Sequence, residues 1–382
     1  MKSIHSKLPN VGTTIFTVMS ALANEYKAIN LSQGFPDFEI DPVLIDLVNN
    51  AMKNGFNQYA PMPGYMPLRE EIAKKTAYSY GITLNPDTEI TITSGGTEAI
   101  FDAVQAIVKP DDEVIVFDPA YDCYVPAIEL AGGKVVSIPL MPPDFAPDWE
   151  KVESLISEKT VVIMLNTPHN PTGAVLKQAD MQKLIEIIRN KNIYIISDEV
   201  YEHLIFDNQI HHSVLRYPEL REKSFAVYSF GKTFHATGWK IGYCIAPPEL
   251  TQEFRKVHQF VTFASPTPLQ VAYTEYLKNS DHYTGISDFY QQKRDMFRNL
   301  IEQHTKFKLL PCEGSYFQLA SYKDISDKPD TEFAIELTKN IGVATIPVSV
   351  FYQNKQQDKL LRFCFAKKEE TLQHAVERLA KL

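Results

Sequence analysis

The stretch FAVYSFGKTFHATGWKIGY, residues 225–243, sets Lys232 between Gly231 and Thr233. Gly-Lys-Thr ends a nucleotide-binding P-loop only within G-x-x-x-x-G-K-[ST]. The first glycine of that pattern falls on Ala226 here. Residues 225–228 also read as a strand, where the flexible loop would have to be. Lys232 therefore needs partners of another kind, and four further segments offer them. They are Ser94-Gly95-Gly96-Thr97, DPAYDCY with Tyr121, NTPHNPTG with Asn170, and DEVYEHL with Asp198 and Tyr201. Together they supply an amine, a carboxylate, a phenol, an amide, an aromatic ring and a glycine-rich helix start. An aldehyde cofactor with a pyridinium ring and a phosphate uses every member of that set. The amine forms a Schiff base with the aldehyde. The carboxylate keeps the ring nitrogen protonated, so that the ring accepts electrons. Phenol and amide donors bond a ring hydroxylate, and an aromatic side chain stacks on the ring face. The helix start and nearby hydroxyls bind the phosphate.

The elements that must hold these residues are legible as an alternation. Short apolar runs at 89–93, 113–117, 134–138, 161–165, 193–197, 225–228 and 241–245 read as strands. Amphipathic stretches at 97–108 and 178–190 read as helices between them. This is the pattern of an α/β domain with a mostly parallel sheet, buried on both faces. Ligands of such sheets collect at the carboxyl ends of the strands, and each segment above follows a strand. After about residue 267 the pattern changes. A long helical stretch at 267–304 is followed by an apolar segment at 315–320, a helix near 331–340, a strand at 360–365 and a final helix from Glu369. That part reads as a smaller α+β domain.

The 382 residues are too many for one ordinary core. A hydrophobic share of 44% and a charged share of 22% are globular values. The net charge of -9 argues against a nucleic-acid or anionic membrane surface. No apolar run has membrane-spanning length, and MKSIHSKLPNVG lacks the apolar core of a signal peptide. The four cysteines are scattered, with no C-x-x-C, and read as free thiols of a cytoplasmic protein. Neither H-E-x-x-H nor G-x-G-x-x-G occurs, so the sequence offers no zinc-protease or dinucleotide signature.

The sequence resembles the class I/II aminotransferases of fold type I, in their methionine and kynurenine aminotransferase branch. The motifs that carry the resemblance run along nearly the whole chain, from INLSQGFPDF and NQYAPMPGYMPLR through SGGTEA, DPAYDCY, LNTPHNPTG, ISDEVYEHL and SFGKTFHATGWKIGY to LLRFCFAK. It implies pyridoxal 5'-phosphate as cofactor, covalently held by Lys232, which later serves as general acid and base. Asp198 would pair with the pyridine nitrogen, and Tyr201 and Asn170 would bond the ring hydroxylate. Tyr121 would stack on the ring. Gly96, Thr97, Ser229 and Lys240 would bind the phosphate, joined by Tyr59 from a second subunit of a homodimer with shared active sites. Arg362 would clamp the substrate α-carboxylate, with Gly34 and Asn170 beside it. Phe16 and Phe263 would line the side-chain pocket, together with Ile15 and Phe35. The implied domains are an N-terminal arm at 1–40 joining the small domain, a large cofactor-binding domain at 41–275 and a small domain at 276–382. Two positions depart from many relatives: Gly231 replaces a serine and Lys240 replaces an arginine, so the phosphate meets a point charge instead of a fork.

The implied reaction is a ping-pong transamination from a hydrophobic amino acid (methionine, an aromatic residue, kynurenine or glutamine) to a 2-oxo acid. No motif supplies a second arginine for a distal carboxylate. A β-eliminating lyase acting on cysteine conjugates would share the same chemistry up to product release. A sensor fused to a DNA-binding module would need more than the forty residues ahead of the domain.

Overall fold

The computed structural model describes residues 4–382. Residues 1–3 of the expected arm lie outside them. All seven expected strands of the large sheet form, each within one residue of its expected limits. They are β1 (Ile90–Thr93), β2 (Glu113–Asp118), β3 (Lys134–Pro139), β4 (Thr160–Asn166), β5 (Tyr194–Asp198), β6 (Ser224–Ser229) and β7 (Gly242–Ile245). Their order is β1-β7-β6-β5-β4-β2-β3, and every strand but β7 runs the same way. β7 returns beside β6 through residues that hold only a one-turn helix, Phe230–Thr233, and a 3-10 turn, Thr237–Trp239. No full crossover helix fits in that link, so the strand comes back antiparallel.

Alternation along the strands builds two cores. Val114, Val116, Val162 and Met164 join the cluster on one face of the sheet. Ile115, Phe117, Ile163 and Leu165 join the larger cluster on the other. Successive side chains of a strand point to opposite faces, so a continuous apolar run is what a sheet covered on both sides requires.

A second sheet lies toward the C-terminus: β8 (Lys308–Leu309), β9 (Phe317–Ser321), β10 (Ile346–Pro347) and β11 (Leu360–Cys364). It is antiparallel throughout, in the order β10-β11-β9-β8. The N-terminal segment is tied to this part of the fold. Ile29–Asn30 pairs in parallel with Val343–Ala344, and the Cys364 amide donates to the Leu31 carbonyl at 2.8 Å. The expected helical stretch 267–304 is interrupted, as Thr267–Leu277, Asp281–Thr284 and Ile286–His304. Among the described residues, no helix is long and apolar enough to cross a membrane.

Candidate active site

The carboxyl ends of β5 and β6, the start of helix Gly95–Ile107 and one face of β11 meet around a cavity of ≈ 320 Å³. Thirteen of the sixteen residues given a role above line it: Phe16, Gly34, Phe35, Gly96, Thr97, Tyr121, Asn170, Asp198, Tyr201, Ser229, Lys232, Lys240 and Arg362. They come from positions as far apart in sequence as 16 and 362, and only the fold brings them together.

Lys232 sits on the one-turn helix that follows β6. The turn closes through the Thr233 hydroxyl, which donates to the Ser229 carbonyl at 3.3 Å. Phe230 and Phe234 anchor it by stacking on Tyr273, with ring centroids 4.7 and 5.7 Å apart. The Lys232 amine donates to the Gly34 carbonyl at 3.3 Å and lies 5.9 Å from the centre of the Tyr201 ring. Burial pulls its pKa down to about 8, and the Lys240 and Arg362 charges act in the same direction. The turn also accounts for Gly231. A Cβ there would stand 3.1 Å from the Ala236 carbonyl oxygen and 3.1 Å from the Thr237 Cα. The hydroxyl missing at 231 thus goes with a close backbone approach.

Asp198 ends β5 and is buried. Its carboxylate accepts from the Tyr124 hydroxyl at 2.6 Å and from the Val200 amide at 3.3 Å. Burial raises its pKa to about 6, outweighing those two bonds. Asn166, the last residue of β4, ties the floor together. Its side chain donates to the Asp198 carbonyl at 2.9 Å and accepts from the Asn170 amide at 2.8 Å.

Arg362 lies on β11 and is fully buried. It donates to Asn170 Oδ1 and to the Ser32 carbonyl, both at 2.8 Å. Its Nε has no partner, and among the described residues it forms no ion pair. The guanidinium stands 3.9 Å from the Phe317 ring centre, with Phe16 at 5.2 Å and Phe351 at 5.5 Å. Burial lowers its pKa to about 10. Because Asn170 turns its oxygen to Arg362, its amide hydrogens are left to the cavity.

At the opposite wall, helix Gly95–Ile107 presents its unpaired first-turn amides beside the Thr97 hydroxyl. Gly96 allows this approach, since a Cβ there would come within 2.9 Å of Val200 Cγ1. The Lys240 amine hangs over the same turn, 3.5 Å from where a Cβ on Gly95 would be. Lys232, Lys240 and Arg362 thus face a single carboxylate, Asp198, across the cavity. An excess of cations, a helix N-terminus and hydroxyls at one end suit a phosphate, and a buried carboxylate suits a protonated ring nitrogen. The residues present fit pyridoxal phosphate.

Tyr59 and Phe263 do not reach the cavity of their own chain. Their rings pack edge to face, 5.5 Å apart, on the surface, where Tyr59 is 84% exposed. Phe263 follows the end of helix Pro248–Val261 in a left-handed conformation, φ 67, which turns it outward. Ile15 packs against the core away from the cavity, whereas Phe35 lines it. Three contributors escaped the sequence reading. Tyr124 holds Asp198, Tyr316 donates to the Gly34 carbonyl at 2.6 Å, and Phe317 stacks on Arg362. Tyr124 lies in the DPAYDCY segment already noted, three residues after Tyr121, and that proximity was the available signal.

Residues 26–379 match the family model for aminotransferase class I and II. The chain belongs to the class I and II aminotransferases. The methionine aminotransferase of Escherichia coli is 51% identical over 378 residues, covering 99% of this chain and 98% of that relative. The rat kynurenine–oxoglutarate transaminase 1 is 33% identical over 412 residues, covering 98% of this chain and 97% of the relative. The solved structure of YbdL from Escherichia coli, described as having a methionine aminotransferase function, superposes with a TM-score of 0.98 at 50% identity and full coverage of both chains. The fold is thus the type I fold of the pyridoxal-phosphate-dependent transferases, and the chain is an aminotransferase that works with that cofactor.

Proposed function

We propose that this aminotransferase takes the amino group from a hydrophobic amino acid (methionine, an aromatic residue, kynurenine or glutamine) and passes it to a 2-oxo acid in two ping-pong half-reactions. One observation carries the reading: Arg362 is a buried cation in the cavity wall with a free Nε and no carboxylate partner. A buried charge without a counter-ion is costly, and a substrate α-carboxylate would supply one. Its planar fork would grip that carboxylate at two points and fix which Cα bond stands ready to break. Among the described residues no second arginine lines the cavity, so a distal carboxylate finds no matching fork there. A thioether or an aromatic ring would instead meet Phe16 and Phe35. The activities named for the Escherichia coli and rat relatives agree with this choice.

When bound, pyridoxal phosphate supplies an aldehyde that takes the substrate nitrogen and a protonated ring that draws electrons from Cα. Lys232 would hold that aldehyde at rest. Released as a neutral amine when the substrate nitrogen takes its place, it would take the proton from the substrate Cα and deliver it to the former aldehyde carbon. A pKa near 8 keeps a useful share of the amine neutral. Asp198, the buried carboxylate in the cavity wall, would hold a proton on the ring nitrogen. Asn170 and Tyr201 would donate to the ring hydroxylate, and Tyr121 would pack on the ring. Gly96, Thr97, Ser229 and Lys240 would hold the phosphate.

The proposal includes a homodimer, in which Tyr59 of each subunit reaches its partner's phosphate site, and a cytoplasmic location, with all four cysteines free. It also includes a division into an arm at 1–40 and domains at 41–275 and 276–382. Helix Thr267–Leu277 packs on Pro42–Lys53, whereas Ile286–His304 packs on Glu369–Leu379. The test is a comparison of kcat/KM for methionine and aspartate, with the cofactor absorbance followed after each addition. Methionine should convert the cofactor to its amine form and be turned over at least about tenfold faster, the worth of one uncompensated polar contact. Faster turnover of aspartate would overturn the substrate class.

A further inference from the structure

A second cavity, of ≈ 420 Å³, lies beyond the carboxyl ends of β2 and β4. It opens on the same rim of the sheet as the active site, where open α/β sheets hold their ligands. Phe117, Leu140, Phe145, Met164, Leu165 and Val175 form its walls. It is larger than the active-site cavity of ≈ 320 Å³ and has mostly apolar walls.

Its inner polar groups are already spent. The Tyr124 hydroxyl donates to Asp198, and Asn166 uses both ends of its amide on Asp198 and Asn170. His169 Nδ1 is engaged with the Thr172 hydroxyl at 2.7 Å, and burial lowers the pKa of the ring to about 4, so it is neutral. Water held there would find few partners, and an apolar body would find a fitting wall. The loop that roofs the space supports the same reading. Phe145 is turned inward at φ 53, a left-handed conformation that costs a non-glycine residue on the order of 1 kcal/mol and that gathers at functional sites. The mouth is acidic. Asp144, Asp180 and Glu313 stand there with one cation, Lys177, whose amine is bound to Glu313 at 2.7 Å. Among the described residues, Asp144 forms no ion pair.

We propose that this cavity is a second small-molecule site, which takes a flat apolar body of aromatic size with a neutral or cationic head at the acidic mouth. It shares no lining residue with the amino-acid site, and Tyr124 and Asn166 in its wall bond Asp198 and Asn170 of that site.

The test uses the cofactor-loaded enzyme and two probes, indole and benzyltrimethylammonium, the latter unable to condense with an aldehyde. Titration calorimetry should give saturable binding of each. Ala146→Trp and Ala179→Trp, which fill the space from its exposed rim, should each weaken binding at least tenfold. Both should keep the cofactor absorbance and turnover of the parent. If either variant loses that absorbance, Ala179→Leu takes its place. Asp144→Asn should weaken the cation about threefold and leave indole unchanged. Absence of saturable binding to the parent enzyme, or parental affinity in the filled variants, would overturn the site. Equal loss of both probes in Asp144→Asn would overturn the assignment of the head group.

Discussion

Arg362 is the residue whose chemistry is least ambiguous at both levels of description. In the sequence it is a guanidinium inside an apolar strand, LLRFCFA. In the fold it is fully buried, with two neutral acceptors, three aromatic rings and a spare Nε. Neutral acceptors take two of its N–H groups without cancelling its charge, and burial accordingly pulls its pKa down to about 10. An anion in the cavity restores the balance. Arg362→Lys keeps the charge but loses the fork and one charge-assisted bond, worth roughly 1.5–3 kcal/mol. The expected result is a drop of roughly ten- to hundredfold in kcat/KM for methionine, carried mainly by KM, with the cofactor absorbance intact. A variant with parental KM would show that the carboxylate is held elsewhere. Tyr124 and Phe317 illustrate what single residues hide. Each acts on another side chain, Asp198 or Arg362, across a distance in sequence that no local motif encodes.

At the scale of elements, the seven strands were legible because their apolar runs feed both cores at once, and Gly-, Pro- and Asn-rich segments bound them. The expected single helical stretch at 267–304 runs through KNSDHYTGIS, where Tyr283 and Ile286 alone are apolar. Turn residues there, Asn279, Ser280 and Gly285, break it into three. The link between two helices and the loop at Met62 is not legible in the sequence at all. His258, on helix Pro248–Val261, bonds Glu98 of helix Gly95–Ile107 at 2.8 Å and the Met62 carbonyl at 3.1 Å, with Asp102 at 3.4 Å. Glu98 in turn accepts from the Ser94 amide, at the head of the helix that faces the proposed phosphate site. The two carboxylates overcome the burial of the ring and raise the His258 pKa to about 9, so the imidazole is a cation at neutral pH. A folded pKa above the unfolded value near 6.5 means that this stabilisation is complete below pH 6.5 and is lost as pH rises through 9. His258→Gln should therefore be least stable relative to the parent at pH 6, with the gap in denaturant midpoint narrowing by pH 9.5. Taking the difference between the two proteins cancels Lys232, whose lowered pKa pulls the other way over the alkaline range. A gap independent of pH would mean that His258 contributes only its shape.

Among the described residues, exposed aromatic rings gather on one surface. Tyr59 and Phe260 are each 84% exposed, and Val261 and Phe263 are about half exposed beside them. The Tyr59 and Phe263 rings brace each other, and the Thr267 hydroxyl is bonded to the Gln58 carbonyl, so the surface is ordered rather than loose. Clustered exposed rings of this kind mark a contact, and in the proposed homodimer two-fold symmetry uses the patch twice. Phe260→Asp then places two carboxylates in one interface. At about 1.4 kcal/mol or more each, they should raise the dimer dissociation constant at least about a hundredfold. Sedimentation at micromolar concentration should show a dimer for the parent and monomer for the variant. The variant should also hold pyridoxal phosphate more weakly, because its Tyr59 no longer meets a partner's phosphate site. Tyr59→Phe separates the two roles: the ring remains for the contact, but the hydroxyl is gone. It should sediment as a dimer and lose about tenfold in cofactor affinity, the worth of one bond to a charged group. If Tyr59→Phe binds the cofactor as the parent does, Tyr59 is an interface ring alone and the sites are not shared through it.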